Sequence, residues 1–289
     1  MTEMPKGAVF KAACVQMTTQ RDMAPNIETI VRLTRAARAA GADLVMTPEV
    51  SNMIEPNRQA QLAKVRFEGE DPVLAAGRDL ARETGVWLLL GSLAVKAEGE
   101  ERLANRSILL SPAGEIVARY DKIHMFDVDL AGGESYRESN RFRPGERAVV
   151  ADLPWGRLGM TICYDMRFAH LYRALAHAGA TLLSVPAAFT VPTGRAHWHV
   201  LLRSRAIETG CFLFAPAQTG EHAEGRRTYG HSLIVSPWGE VLADGGEEEG
   251  FVIAEIDTAK VAEARRMVPA LGHDRAFSLP EAPVARAAE

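Results

Sequence analysis

The sequence lacks paired cysteines, long apolar runs and a strong excess of charge of either sign. Its three cysteines, Cys14, Cys163 and Cys211, are odd in number and far apart, which argues against a disulfide framework and favours a reducing compartment. No apolar run approaches the roughly 18 residues of a membrane helix, and the first residues lack the apolar core of a signal peptide. The net charge of −4 gives no reason to expect nucleic-acid binding. We therefore expect a cytoplasmic protein without nucleic-acid or membrane partners.

Recognisable metal and nucleotide motifs are also missing. His197 and His199 stand two residues apart, so on a helix they do not share a face. The sequence contains no H-E-x-x-H or C-x-x-C motif, no P-loop and no dinucleotide fingerprint. We expect neither a metal ion nor a cofactor.

What the sequence does contain is an internal duplication. The segment RAARAAGADLVMTPE (35–49) resembles RALAHAGATLLSVPA (173–187), and SILLSPAGEIVA (107–118) resembles SLIVSPWGEVLA (232–243). The first pair reads as a helix, a turn and a strand, and the second pair as a hairpin. Two such half-units would pack their sheets against each other. This arrangement predicts an α/β fold, a four-layer α-β-β-α sandwich.

The pattern indicates one domain rather than two. The chain has 289 residues, of which 47% are hydrophobic, and this length allows a large single core. We expect a single domain over 1–289, with tails at 1–7 and about 280–289. Segment 121–147 is polar and without periodicity, which is unusual for a loop in a compact domain unless it has a function. After a further loop, AAFTVPTG, a helix is predicted over 197–209.

Two candidate catalytic residues close predicted strands. Cys163 lies where an apolar strand within LGMTICYDMRF (158–168) meets a polar turn, although free cysteine is more often buried and inert. Glu49 stands where the duplicated segment has Ala187; the alternative is an exposed strand-end residue. Strand ends are where α/β folds place reactive groups, and a thiol of pKa near ~8.5 needs a neighbouring base. A partly buried Glu49 with a raised pKa is the candidate base.

Charged residues of the irregular segment are further candidates. Lys122 opens this segment, and its ammonium is a candidate for stabilising the oxygen that gains charge in acyl transfer. The alternative is an ordinary solvated lysine. Glu138 and Glu134 compete as the carboxylate that orients this lysine or binds an amine.

These residues lie in motifs that resemble the nitrilase (carbon–nitrogen hydrolase) superfamily over nearly the whole chain. The motifs are PEV around Glu49, DKIHMFDVDL around Lys122, RESNRFRPG around Glu138 and GMTICYDMRF around Cys163. The resemblance continues through VPAAFTVPTGRAHWHVLLRSRAIETGCF and YGHSLIVSPWGEVLAD. It implies the four-layer sandwich and a homodimer or higher oligomer. It also implies that Glu138, rather than Glu134, is a supporting carboxylate.

The resemblance further implies the hydrolysis of an amide through a thioester. In this reaction Glu49 is the general base and Cys163 the nucleophile. Lys122 and the backbone N–H of Tyr164 stabilise the oxyanion. Ammonia or an amine leaves, and water activated by Glu49 then hydrolyses the thioester.

The residues around Cys163 narrow the range of substrates that the resemblance implies. Cys163-Tyr164-Asp165 departs from the Cys-Trp-Glu of most true nitrilases, which disfavours a nitrile. The pattern is similar to two amidase branches, ω-amidase, which acts on 2-oxoglutaramate and 2-oxosuccinamate, and deaminated glutathione amidase. The run APAQTGEHAEGRRTYGHS favours the second. A carbamoyl-amide hydrolase and a non-catalytic binding protein of this fold are further alternatives.

Both amide substrates carry carboxylates, so a cation is expected near the pocket. Arg167, four residues past the nucleophile, is the first candidate, through bidentate pairing; the alternative is a structural pair with Asp165. Phe189 and Thr190 follow the strand that corresponds to the strand of Glu49 in the duplication, so we expect them to line the pocket.

Two further arginines, Arg226 and Arg227, lie in a polar loop that begins with glycine. They are either ordinary surface residues or reach a longer, peptide-like substrate. The sequence does not decide between these two readings.

Overall fold

The computed structural model describes residues 7–130 and 135–278. The predicted tails, 1–7 and about 280–289, therefore lie outside the described residues apart from Gly7, and so does Glu134. Within the described ranges no helix has the length and apolar character needed to cross a membrane.

Strands and helices alternate along the described chain. The strands are β1 (Val9–Gln16), β2 (Leu44–Met46), β3 (Trp87–Val95), β4 (Ala104–Leu110), β5 (Ile116–Asp121), β6 (Asp127–Asp129), β7 (Ser135–Arg137), β8 (Val149–Leu153), β9 (Gly156–Met160), β10 (Leu182–Ser184), β11 (Phe212–Ala215), β12 (Thr219–Glu221), β13 (Arg227–Tyr229), β14 (Leu233–Val235), β15 (Val241–Asp244) and β16 (Gly250–Asp257). The helices are α1 (Met23–Ala39), α2 (Arg58–Lys64), α3 (Pro72–Thr84), α4 (Ala169–His177), α5 (Val191–Thr209) and α6 (Ala259–Met267).

Two six-stranded sheets repeat the same strand order. One sheet has the order β16-β1-β2-β3-β4-β5 and the other β8-β9-β10-β11-β14-β15. In each sheet three consecutive strands run parallel, β1 to β3 and β9 to β11. Antiparallel strands flank them on both sides. The segments 35–49 and 173–187 occupy equivalent places in this order, so the predicted duplication is confirmed.

The sheets pack face to face, and helices cover their outer faces. Neighbouring residues of a strand point to opposite faces, as Cys14 and Val15 of β1 show. The thiol of Cys14 lies between the sheets, 3.8 Å from the carbonyl oxygen of Leu233 in β14. Val15 packs on the opposite side in a core shared with α1 and α3. Helices α4 and α5 cover the second sheet, where Trp198 is fully buried. The predicted four-layer sandwich is confirmed.

Helix α5 begins six residues before its predicted start at residue 197. Pro192 and Gly194 suggested a loop, but Pro192 lies in the first turn of the helix, where proline is favourable because its missing N–H would have no partner. At Gly194 an added Cβ would lie 2.2 Å from Cγ of Tyr229, so close packing, not flexibility, explains the glycine. Segment 121–147, predicted to be without pattern, contains the antiparallel strands β6 and β7. The prediction also missed α2 and the hairpin of β12 and β13.

A fully buried carboxylate, Asp165, links the two halves. It accepts hydrogen bonds from the hydroxyl of Tyr120 in β5 at 2.6 Å, from the backbone N–H of Ile162 at 2.9 Å and from that of His124 at 3.0 Å. It also pairs with the ring of His124 at 2.7 Å. The chain on both sides of Lys122 is therefore fastened to the turn that follows β9.

Removing the Tyr120 hydroxyl deletes a hydrogen bond to this buried carboxylate. We expect Tyr120→Phe to lower the free energy of unfolding by about 1.5–3 kcal/mol, since the acceptor is charged. Tyr172 is a matched control, because it is equally buried and its hydroxyl pairs with the neutral hydroxyl of Thr161 at 2.7 Å. Tyr172→Phe should cost only about 0.5–1.5 kcal/mol. Urea unfolding of both variants measures the difference, and an equal or larger loss in Tyr172→Phe contradicts the linking role of Asp165.

Candidate active site

Three of the predicted site residues follow strand ends that the sandwich brings together. Glu49 lies three residues beyond β2, Lys122 directly follows β5, and Cys163 lies three residues beyond β9. The strands before Glu49 and Lys122 belong to one sheet, and the strand before Cys163 belongs to the other. Glu49 and Lys122 are 5% and 2% exposed. Glu49 is therefore not an exposed strand-end residue, and Lys122 is not an ordinary solvated lysine.

Lys122 lies between two carboxylates. Its Nζ is 2.8 Å from Oε1 of Glu49 and 3.0 and 2.8 Å from the two oxygens of Glu138. Glu138 also accepts the backbone N–H of Phe126 at 2.7 Å. The structure thus brings Glu138 to the lysine, at the start of a short 3₁₀ turn within the irregular segment.

The sequence analysis missed Asn105, which connects the two carboxylates. Its side-chain N–H₂ donates to Glu49 at 3.0 Å and to Glu138 at 3.2 Å, and its backbone carbonyl accepts the backbone N–H of Lys122 at 2.9 Å. The second oxygen of Glu49 accepts the backbone N–H of Ala188 at 2.9 Å. Asn105 is the second residue of β4, between Ala104 and Arg106, and no local sequence signal marks it.

Cys163 begins the short 3₁₀ turn after β9. Its backbone φ is +49°, a conformation that non-glycine residues rarely adopt and that concentrates at functional sites. Its N–H donates to the carbonyl of Pro186 at 2.9 Å. The thiol is 6% exposed and interacts with the carboxylate of Glu49 and the backbone N–H of Ala188. The thiol is therefore next to a base, within a rigid turn.

Burial and these contacts set the ionisation of the group. Burial opposes charge on Glu49, but the ammonium of Lys122 and hydrogen bonds from Lys122, Cys163 and Asn105 outweigh it and lower the pKa of Glu49. Burial also opposes charge on Lys122, yet Glu138 and Glu49 raise its pKa well above the usual value. Burial, and then the negative charge of Glu49, raises the pKa of Cys163 well above its usual range. At neutral pH the group holds an ionised carboxylate, an ammonium and a neutral thiol.

The expected raised pKa of Glu49 is wrong. The sequence indicated burial, which alone would raise it, but not the ammonium of Lys122 at 2.8 Å. Because the attraction of this cation exceeds the cost of burial, Glu49 stays ready to accept a proton at neutral pH.

A cavity of about 1540 Å³ opens onto Glu49, Lys122 and Cys163. Small-molecule sites typically measure roughly 300–1,000 Å³, so this cavity has room for more than a small acid amide. Phe189 and Thr190 line it, in the place that the duplication suggested.

Tyr164 and Arg167, the other two predicted binding residues, are not part of the described cavity wall. The guanidinium of Arg167 lies over the rings of Tyr164 and Phe189, 5.8 and 5.6 Å from their centroids, and is 3.3 Å from Nδ1 of His197. Its alternative partner, Asp165, is instead occupied by the contacts that link the two halves.

The cavity wall is rich in cations that lie far apart in the sequence. Within the described chain the lining arginines are Arg58, Arg137, Arg141, Arg195, Arg226 and Arg227. Of these, only Arg226 and Arg227 were singled out from the sequence. The others lie on elements that come together only in the fold.

One group in the described residues has the composition of a metal site. Ligand atoms of His199, His231 and Asp244 lie within 4.8 Å of one another. The carboxylate pairs with the two imidazoles at 3.0 and 2.9 Å, which ties α5 to β15. None of the three lines the cavity, so this group belongs to the packing of α5 and not to the site of Cys163.

The chain is similar to known proteins over most of its length. Residues 11–266 match the carbon-nitrogen hydrolase family. A protein of Yersinia enterocolitica named deaminated glutathione amidase is 42% identical over 241 residues, which are 83% of this chain and 84% of that protein.

Two solved structures extend the similarity to the fold. The crystal structure of the C. elegans NitFhit protein superposes with a TM-score of 0.88 at 36% identity, covering 94% of this chain and 66% of that one. A mutant of the amidase from Nesterenkonia sp. AN1, described as showing Michael addition of acrylamide at the active-site cysteine, has a TM-score of 0.75 at 27% identity and covers 90% of this chain and 98% of that one. The chain therefore belongs to the carbon–nitrogen hydrolase family, within the nitrilase superfamily, as its motifs indicated.

Proposed function

We propose that this protein is a cysteine-dependent amidase whose substrate is deaminated glutathione, and that it releases 2-oxoglutarate and cysteinylglycine. The observation that carries the proposal is the contact group of Glu49, Lys122 and Cys163 at the cavity. The name of the Yersinia relative and the active-site cysteine of the Nesterenkonia amidase support it. The size of the cavity favours this tripeptide-like substrate over 2-oxoglutaramate or 2-oxosuccinamate, which remain the alternative substrates of the same chemistry.

In the first step the thiol of Cys163 gives its proton to Glu49 as the sulfur attacks the amide carbonyl carbon. A C–S bond forms, and the carbonyl π electrons move to oxygen. The ammonium of Lys122 stabilises this oxyanion, together with the backbone N–H of Tyr164, which directly follows Cys163 in the chain although Tyr164 is not part of the cavity wall. Because the resting thiol is neutral and Glu49 is ionised, the proton moves only when the substrate is in place.

In the second step the oxyanion collapses and the C–N bond breaks. Glu49 returns its proton to the leaving nitrogen, so the amine departs neutral and a thioester remains on Cys163. Water then gives a proton to Glu49 and attacks the thioester, the C–S bond breaks, and the thiol recovers the proton. Asn105 positions Glu49, to which it donates, and Glu138 positions Lys122, from which it accepts.

The substrate assignment has a direct test. Wild-type protein is incubated with deaminated glutathione and with 2-oxoglutaramate, both of which yield 2-oxoglutarate, while N-carbamoyl amino acids serve as a third arm with ammonia as readout. The proposal expects the largest kcat/KM for deaminated glutathione. A larger value for 2-oxoglutaramate makes the protein an ω-amidase, and cleavage of the carbamoyl compound alone moves it to another reaction class.

Replacement of the nucleophile and of the base separates catalysis from binding. We expect Cys163→Ala to abolish 2-oxoglutarate release and the acyl-enzyme seen by intact mass, and Glu49→Gln to lower kcat by about 10²–10⁴-fold. Cys211→Ala is the matched control, since Cys211 is also a buried free thiol but does not line the cavity; it should keep the wild-type kcat. Equal turnover by wild type and Cys163→Ala contradicts the enzyme assignment.

The ion pair of Lys122 predicts a pH dependence of stability. In the wild type the folded pKa of Glu49 lies below the unfolded value of about 4.3, so its contribution is complete above that pH and is lost as the pH falls through the folded pKa. In Lys122→Met the ammonium is lost and only the hydrogen bonds from Asn105, Cys163 and Ala188 still oppose the effect of burial. We expect burial, the largest influence, then to raise the folded pKa of Glu49 above the unfolded one, so that stability is lost as the pH rises. The difference in unfolding free energy between the two proteins should therefore grow from about pH 4 to about pH 7.

Urea unfolding at several pH values measures this difference. Lys260→Met, at an exposed position of α6, is the control and should show no such trend. A difference that is constant, or that shrinks as the pH rises, contradicts the ion-pair assignment.

Two predictions from the sequence, a cytoplasmic location and a homodimer or higher oligomer, accompany this proposal. Both rest on composition and family resemblance. Analytical ultracentrifugation of the purified protein tests the second.

A further inference from the structure

Arg226 lines the cavity, and its guanidinium makes one side-chain hydrogen bond that the described residues account for. It lies between β12 and β13. One of its terminal nitrogens donates to the carbonyl oxygen of Ala188 at 3.3 Å, whereas its Nε is buried and has no hydrogen-bond partner among the described residues. Guanidinium offers five donors in a planar fork, and a buried donor without an acceptor is costly. The side chain is therefore suited to a ligand with several acceptor oxygens.

Arg226 is also one of several like charges that are held together. Burial, and then the positive charges of Arg58 and Arg226, lower the pKa of Arg141. Arg141 donates to neutral acceptors only, the carbonyls of Glu55 and Pro56 and the side-chain oxygen of Gln61. Guanidinium groups that repel one another in a cavity are stabilised by an anion between them.

The acids nearest to this cluster offset its charge only in part: Glu55 and Glu224 raise the pKa of Arg141, but together less than burial, Arg58 and Arg226 lower it. Glu55 pairs with Lys64 at 3.1 Å and Glu224 pairs with Arg21 at 2.8 Å. Among the described residues, no carboxylate forms an ion pair with Arg226 or with the two arginines near it, Arg58 and Arg141. The cluster thus retains its positive charge toward the cavity.

A single residue separates Arg226 from the proposed general base. The carbonyl of Ala188 accepts from Arg226, and the N–H of Ala188 donates to Glu49 at 2.9 Å. Glu49 is the group that returns a proton to the leaving nitrogen. The two residues on the amine side of deaminated glutathione extend at most about 7 Å, so a carboxylate at their end is within reach of a cation placed this close to Glu49.

We propose that Arg226, with Arg141 and Arg58 adding charge, binds the carboxylate on the amine side of the scissile amide. This inference rests on the proposed amidase function and narrows its substrate class. The preferred substrates are amides whose leaving group is a short peptide with a free carboxylate. An amide that releases only ammonia leaves this subsite empty.

The kinetic test compares three substrates that differ only beyond the scissile bond. They are deaminated glutathione, the same compound with its glycine carboxylate converted to an amide, and 2-oxoglutaramate. Arg226→Gln should raise KM for the first by about 10- to 100-fold with kcat unchanged, since a charge-assisted bidentate contact is lost, and should leave KM for the other two unchanged. Arg226→Lys should fall between, because it keeps the charge and loses the fork.

The control is Arg35→Gln, which removes the same charge from an exposed position of α1 and should change no KM. A uniform rise in KM for all three substrates places the effect of Arg226 on the acyl side or on folding, and overturns the proposal. An unchanged KM for deaminated glutathione overturns it as well. Thermal melting of each variant verifies that the protein remains folded.

A binding measurement separates this inference from the proposed function. Calorimetry compares cysteinylglycine with cysteinylglycinamide on the wild type and on Arg226→Gln. The proposal expects the wild type to bind the free carboxylate more tightly by about 10- to 100-fold, and Arg226→Gln to lose this preference. If no amide is cleaved but the preference holds, the amidase proposal fails and the subsite stands. If deaminated glutathione is cleaved without the preference, only the subsite fails.

Discussion

The buried ammonium of Lys122, held between two carboxylates, is the interaction on which the rest of the site depends. It lies 2.8 Å from Glu49 and 2.8 Å from Glu138. A buried charge carries a desolvation cost of several kcal/mol, and removal of one partner leaves that cost uncompensated. Neither carboxylate is therefore free to turn away from the lysine. Asn105 donates to both carboxylates, so the carboxylate of Glu49 is held in position by Asn105 and kept ionised by Lys122.

The duplication explains how such a group arises in one chain. Both halves use the same strand order, and their parallel strands end at the same edge of the sandwich. At equivalent strand ends one half has Glu49 and the other Ala187. The half with the carboxylate also supplies Lys122, and the other half supplies Cys163. Neither half alone contains all three residues, and the face-to-face packing of the two sheets brings them together.

Residues at strand ends could be predicted from the sequence, and residues in strand interiors could not. Glu49 and Cys163 each follow a short apolar run, and Lys122 opens the irregular polar segment; motif resemblance reinforced these local signals. Asn105 lies within β4, and its two carboxylate partners are 56 and 33 residues away, so no local pattern marks it. The predicted rise in the pKa of Glu49 was wrong for the same reason. Burial can be inferred from the sequence, but the distance to an ammonium group cannot.

The charge of the contact group constrains the rest of the cavity. The carboxylate of Glu49 lies beside the thiol, and its negative charge opposes the approach of an anionic group to Cys163. Arg226 and Arg141, on elements that do not hold the thiol, place positive charge on the wall. A substrate without net charge would not need positive charge on the cavity wall. Because the arginines of the cavity wall and Glu49 lie on separate elements, the charge of the wall can change while the ionisation of Glu49 stays under the control of Lys122.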